Sequence, residues 1–116
     1  MGGMKTTNHS IELPDAVAAY WVAANAGASE AAAACFSANA LVHDEGKDLR
    51  GTDAIRDWVE ETTRKYHPKV EPLRAEEKDG RHRVTARVSG DFPGSPVELD
   101  YAFTLENQKI ARLEIA

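Results

Sequence analysis

A chain of 116 residues has room for one domain built on one hydrophobic core. Its hydrophobic share of 42% is too high for a disordered chain. The formal charge of −5, with no Lys/Arg cluster to break the acidic balance, gives nucleic-acid binding little electrostatic support.

No uninterrupted apolar run is long enough to span a bilayer, so no membrane partner is expected. The opening MGGMKTTNHS lacks the apolar stretch of a secretion signal, and the cytoplasm is the expected location. Residues 1–10 read as a disordered segment or a non-native leader before Met4, although Gly2 and Thr6 formally fit an N-myristoylation pattern. Residues 11–116 read as a single domain. The lone Cys35 excludes an intrachain disulfide, and its setting in AAAACF predicts a buried thiol.

Leu13, Val17, Tyr20 and Ala24 recur at helical spacing, with Ala16 beside them, so a first helix turns one stripe inward. Pro14 suits its first turn and Asp15 the positive end of its dipole. Gly27 is placed to end it in a left-handed conformation. Ser29 is placed to cap a short Ala-rich helix that runs to Ala34 or Phe36. In the strand that follows, Ala40, Val42 and Asp44 share one face and Leu41 and His43 the other, until Gly46 breaks it. Thr52 or Asp53 then caps a third helix, with Ile55, Trp58, Val59 and Thr62 at i, i+3, i+4 and i+7. Pro68 stops that helix and pushes His67 toward extended backbone.

The remainder reads as strands. Residues 69–77 lead to Asp79-Gly80, a hairpin signal. His82, Val84, Ala86 and Val88 then alternate with Arg83, Thr85, Arg87 and Ser89. A loop of turn formers, GDFPGSP, separates this strand from the next. There Val97, Leu99, Tyr101, Phe103 and Leu105 alternate with Glu98, Asp100, Ala102, Thr104 and Glu106. After a turn at Glu106-Asn107-Gln108, a last strand carries Ile110, Leu113 and Ile115. Helices followed by consecutive antiparallel strands define the α+β class.

The stretch from Tyr20 to Trp58, read in that order, resembles the start of the NTF2-like superfamily, which includes the SnoaL-like domains and the ketosteroid isomerases. The resemblance implies an NTF2-like cone: N-terminal helices packed in a strongly curved, mostly antiparallel sheet that leaves a one-ended apolar pocket. It implies a small hydrophobic ligand, no cofactor, and a homodimer paired through an outer sheet face bearing Arg83, Thr85, Arg87, Ala102 and Thr104. Like the isomerases, the chain has a Tyr seven residues before the Gly that ends helix one (Tyr20 and Gly27). It has an Asp at the end of the first strand (Asp44) and an aromatic residue in helix three (Trp58).

By that resemblance Asp44 is the proton-shuttling base and Tyr20 the donor to the developing enolate oxygen, the isomerase arrangement in which a second, protonated Asp is also a donor. Counting back from Lys109 without gaps puts Asp100 at the second acid. Burial instead turns Leu99, Tyr101 and Phe103 inward, because a one-residue slip exchanges the two strand faces. We follow burial, which makes Tyr101 the third catalytic candidate, with Asp100 as the alternative. Trp58, Val42, Val17, Phe103 and Leu99 are the expected substrate-lining residues. The chain departs from the isomerases at Glu45, where they have Pro, and at Val59, where they often have an aromatic residue.

Plainer readings stand beside these. Asp44 can simply end a strand before the Gly46 turn. Tyr20 can be a core aromatic with a satisfied hydroxyl. Trp21 packs beside Tyr20 or across a subunit interface. His43, Asp44 and Glu45 alternate across a strand and cannot converge on one ion, so no metal is expected. No Ser/His/Asp motif is present. Two functions remain open. One is cofactor-independent isomerisation or aldol-type cyclisation of a steroid, terpenoid or polyketide carbonyl compound by proton abstraction. The other is a non-catalytic, dimeric ligand-binding or protein-interaction module.

Overall fold

The computed structural model describes residues 12–116, so the expectations for the leader and the N-myristoylation pattern lie outside the described residues. In chain order the elements are α1 (Asp15–Asn25), α2 (Ser29–Ala33), β1 (Phe36–Asp44), β2 (Lys47–Arg50) and α3 (Thr52–Tyr66). They continue with β3 (Lys69–Lys78), β4 (Arg81–Ser89), β5 (Val97–Glu106) and β6 (Lys109–Ile115). The strands form one sheet in the order β2-β1-β6-β5-β4-β3. Only the β1–β6 pair is parallel. That pair is joined by a crossover through β2, α3, β3, β4 and β5.

Three hairpins share one device. Glu45-Gly46, Asp79-Gly80 and Asn107-Gln108 all have positive φ and link strands through two-residue loops. Positive φ at both central residues is the type I′ geometry, whose twist matches that of the flanking strands. The first of these hairpins supplies β2, a strand the sequence pattern did not announce. The sheet bends where its registers slip, between Phe36 and Leu41, between Pro72 and Arg74, and between Thr104 and Leu105. At the last slip Ala111 of β6 has no counterpart, which is why Ile110 and Leu113, three residues apart, both point into the core.

Several helix ends differ from expectation. Neither Thr52 nor Asp53 caps α3: Gly51 does, at φ 91° and ψ 158°, without any side-chain cap bond. Only glycine adopts that backbone readily, and the Gly51 N–H is spent on the Ala40 carbonyl at 2.9 Å. Likewise Ser29 is the first residue of α2 and Ala28 its cap, again with no side-chain bond. That helix ends before Phe36, which opens β1. His67 is left-handed (φ 47°, ψ 53°), not extended, and donates its N–H to Thr63 O at 2.9 Å. Closing the helix in this way satisfies a terminal carbonyl and outweighs the pre-proline preference. Cys35 is only half-buried, its Sγ 3.5 Å from Ala31 O.

The core lies between α1, α3 and the sheet, with Val17, Val42, Ile55, Val84, Phe103, Ile110 and Leu113 fully buried. On the outer sheet face the charges answer one another: Arg87 meets Glu71 at 3.2 Å and Thr85 Oγ1 donates to Asp100 at 3.0 Å. The end of α1 is fastened to the edge strand β3 by one side chain. Asn25 Nδ2 donates to Val70 O (3.0 Å) and Asn25 Oδ1 accepts from Val70 N (2.8 Å). Lys69 Nζ also reaches Asn25 O at 2.7 Å. Removing the Asn25 amide leaves two partly buried backbone groups unpaired. Asn25→Ala is therefore expected to lower stability by about 1–3 kcal/mol, read from the urea midpoint at unchanged slope.

Candidate functional site

Between the helices and the open end of the sheet lies a cavity of about 420 Å³, a size typical of small-molecule sites, roughly 300–1,000 Å³. Its inner part is made by Tyr20, Trp21 and Ala24 of α1 and by Leu99 and Tyr101 of β5. Its sides are made by Trp58, Val59, Thr62 and Tyr66 of α3 and by Val70 and Val88 of the sheet. The rim carries Glu45 at the first hairpin and Phe92 and Pro93 from the loop over residues 90–96. That loop is held to the end of α3. Asp91 N–H donates to Tyr66 O at 2.7 Å, His67 Nδ1 meets Asp91 Oδ2 at 3.1 Å, and the Tyr66 and Phe92 rings stand edge to face at 6.0 Å.

Of the residues expected at a site, Asp44, Tyr20, Tyr101, Trp58 and Leu99 line this one cavity. Val17, Val42 and Phe103 do not. Each is 0% exposed and packs behind the lining, so none is available to a ligand. Their strand and helix positions point inward as read, but inward here means the closed end of the cone. Tyr101 faces the cavity and Asp100 lies on the outer face, where it accepts from Thr85. Burial therefore chose the register correctly. Trp21, expected beside Tyr20 or at a subunit interface, is buried at 4% exposure and helps form the cavity floor. Its ring stands edge-on to Tyr101 (5.2 Å, 84°) and Phe103 (5.3 Å, 89°). Its Nε1 has no hydrogen-bond partner among the described residues. Asn25 and Tyr66 also line the cavity. Nothing in their local pattern marked them, since both sit where a helix ends.

The electrostatics follow from this enclosure. Burial raises the Asp44 pKa above the ordinary carboxylate range, and neighbouring Glu45 adds to the rise. Trp58 opposes it by donating its Nε1–H to Asp44 Oδ2 at 3.2 Å. Burial also pushes both phenols up, and each is raised further by Asp44, Tyr20 by Tyr101 as well. Both phenols thus stay protonated at neutral pH and able to donate. The influence of Asp44 on both phenols places the three groups in one electrostatic neighbourhood. The cavity thus brings together one half-buried carboxylate and two hydroxyl donors. No group of three or more His, Cys, Asp or Glu among the described residues is arranged to hold a metal.

Helices cupped in a strongly bent sheet, with a pocket at the open end, define the NTF2-like class, and the solved structures agree. A Catenulispora acidiphila protein with a ketosteroid isomerase-like fold, crystallised with trimethylamine, superposes with a TM-score of 0.81 over 90% of this chain and 86% of that one, at 18% identity. An epoxide hydrolase/cyclase-like enzyme of pyran ring formation in salinomycin, SalBIII, gives 0.75 over 87% and 86% at 21% identity. At those identities the likeness is one of fold. A Sinorhizobium meliloti protein described as a candidate polyketide cyclase is nearer: TM-score 0.87, 36% identity, covering 97% of this chain and 100% of that one. The SnoaL-like domain model matches residues 17–113, and the chain belongs to that family. No curated protein matches it by sequence.

Two consequences of this geometry are measurable. Phe103 fills the closed end, so Phe103→Ala is expected to cost about 3–5 kcal/mol, whereas Leu99→Ala at the cavity wall should cost under about 2 kcal/mol, both from urea unfolding. Asp44 is a carboxylate whose folded pKa is raised, so the native state binds its proton more tightly than the unfolded chain does. Stability then falls as pH climbs from the ordinary Asp value of about 3.9 through the raised folded value, and is level above it. Asp44→Asn removes that loss. It should melt higher than wild type at pH 7, with the advantage gone by about pH 3, as thermal melts across pH would show.

Proposed function

We propose that this SnoaL-like domain isomerises or cyclises a small hydrophobic carbonyl compound without a cofactor. The observation that supports this reading is the convergence of Asp44, Tyr20 and Tyr101 on one enclosed, mainly apolar cavity. In the step envisaged, the Asp44 carboxylate removes a proton from the carbon beside the carbonyl. The C–H electron pair moves onto the carbonyl oxygen as an enolate, which accepts hydrogen bonds from the Tyr20 and Tyr101 hydroxyls. Preorganised donors in a dry site favour such a charge far more than water-exposed ones. A base with a raised pKa is also closer to the working pH and a better match to a weak carbon acid.

The enolate then has two fates. Asp44 returns the proton to a different carbon, giving an isomer. Alternatively, the enolate carbon attacks a second carbonyl, and the resulting alkoxide takes the proton back from Asp44, closing a ring. The likeness to the Sinorhizobium meliloti candidate polyketide cyclase, at 36% identity over nearly the whole chain, favours ring closure on a polyketide over a steroid or terpenoid.

The test is titration with a rigid planar phenol whose fluorescence reports its ionisation. Binding as the anion is expected. Tyr20→Phe should weaken it about tenfold or more, the effect of losing one hydrogen bond to a charged oxygen, about 1.5–3 kcal/mol. Asp44→Asn should strengthen it by removing a like charge. Binding indifferent to both substitutions would sink the proposal and leave a non-catalytic ligand-binding or interaction module.

A further inference from the structure

The same cavity has a second chemical character. Six aromatic rings line it, those of Tyr20, Trp21, Trp58, Tyr66, Phe92 and Tyr101. Two carboxylates line it, Asp44 and Glu45, and no Lys, Arg or His does. The basic groups close enough to influence Asp44 are His43 and Lys47, and both stand outside the wall. His43 is moreover engaged with Asp48 at 2.6 Å. Trp58 occupies one oxygen of Asp44 with its indole N–H and supplies no charge. The carboxylate therefore faces the cavity without a counter-ion built into the wall.

Glu45 is held at the rim by unusual backbone. It sits at φ 54° in the hairpin turn, a conformation few glutamates adopt, and the tight β1–β2 pairing of Asp44 with Lys47 fixes it there. The two acids are consecutive in the chain yet both border the same opening. A cation entering the cavity meets the aromatic rings, the half-buried Asp44 carboxylate and, at the exposed rim, Glu45. Partial burial at Asp44 strengthens both attractions over what a fully exposed site would give. A negative charge beside Asp44 and Glu45 meets repulsion, so an anion is held only where the Tyr20 and Tyr101 hydroxyls donate to it.

We infer that this cavity is selective by charge and takes an apolar organic cation, a tertiary or quaternary ammonium, with its positive centre at Asp44 and Glu45 among the aromatic rings. The preference does not depend on Asp44 moving a proton, so it stands apart from the catalytic proposal. A substrate combining both features would place its carbonyl at the Tyr20–Tyr101 end and its ammonium group toward the rim.

An isosteric pair isolates the charge. Phenyltrimethylammonium and tert-butylbenzene have nearly the same shape and differ by one positive charge. Each is titrated into the full chain and followed by tryptophan fluorescence. The cation is expected to bind at least tenfold more tightly, the lower end of what a desolvated cation–aromatic contact and a facing carboxylate supply together. Asp44→Asn and Glu45→Gln should each shrink that ratio, and the double substitution should bring it near one. The same Asp44→Asn change strengthens phenolate binding, so one variant moves the two probes in opposite directions.

Equal affinity for the pair, weaker binding of the cation, or a ratio that survives the double substitution would overturn the inference. If the phenol binds as expected while the pair shows no charge preference, only this inference falls. If none of the three probes binds, the cavity is not a ligand site and both readings fall together.

Discussion

The Asn25 amide, clasped to both backbone groups of Val70, ties the helix layer to the edge of the sheet. Val70 belongs to β3, the edge strand at one end of the sheet order. Asp44 belongs to β1, at the far side of the central strands. A six-stranded sheet that bends at three register slips needs something to hold its edge against the helix it wraps. Here one side chain imitates a strand, donating and accepting as a ladder partner would. With the end of α1 fixed to that edge, Tyr20, Trp21 and Ala24 line the same cavity as Val70 and Asp44. The clasp also blunts an otherwise open sheet edge.

Core and cavity are two ends of one apolar volume. At the closed end Phe103 fills the space, and Tyr20, Trp21 and Tyr101 pack on it or beside it. The same three rings then present their other edges to the open end. The inner wall of the cavity is therefore the core's outer layer. A hydroxyl on such a ring is positioned by packing, with no need for a hydrogen bond to a neighbour. That is the state in which a donor is available to a ligand and costs little reorganisation.

How much of this was legible in the sequence depended on whether a residue's role is local. Alternation in residues 97–105 was enough to turn Tyr101 inward and Asp100 outward, since the strand period is two and one face was plainly apolar. The Asp79-Gly80 turn was legible because both residues are favoured in type I′ geometry. Glu45-Gly46 makes the same turn, but glutamate is not a usual left-handed residue, so β2 went unread. His67 was misjudged because the proline rule speaks only of the next residue, whereas helix closure and Asp91, 24 positions away, decided its backbone. Val17, Val42 and Phe103 show a different limit. Periodicity says which side chains point inward, but depth along the cone axis is set by how the whole sheet bends. The same limit hid Asn25, whose partner lies 45 residues on, and Tyr66, which depends on the 90–96 loop folding over it.

Asp44 concentrates the conflict between folding and function. A carboxylate at a strand end before a turn is ordinary when solvated. Here the sheet's curvature and α3 carry it into partial burial, and the Trp58 N–H donates a hydrogen bond that offsets part of the lost hydration. A chain under selection for stability alone would place Asn, Thr or an apolar residue there. Glu45 next to it makes the burial costlier still, by setting a second negative charge close to the first. Glu45 adds to the cost at Asp44, and a ligand that takes up that charge would return part of it. The two ligands proposed above, a carbon acid that gives up its proton to Asp44 and a cation beside the two acids, are both of that kind, and the cavity of about 420 Å³ is of small-molecule size.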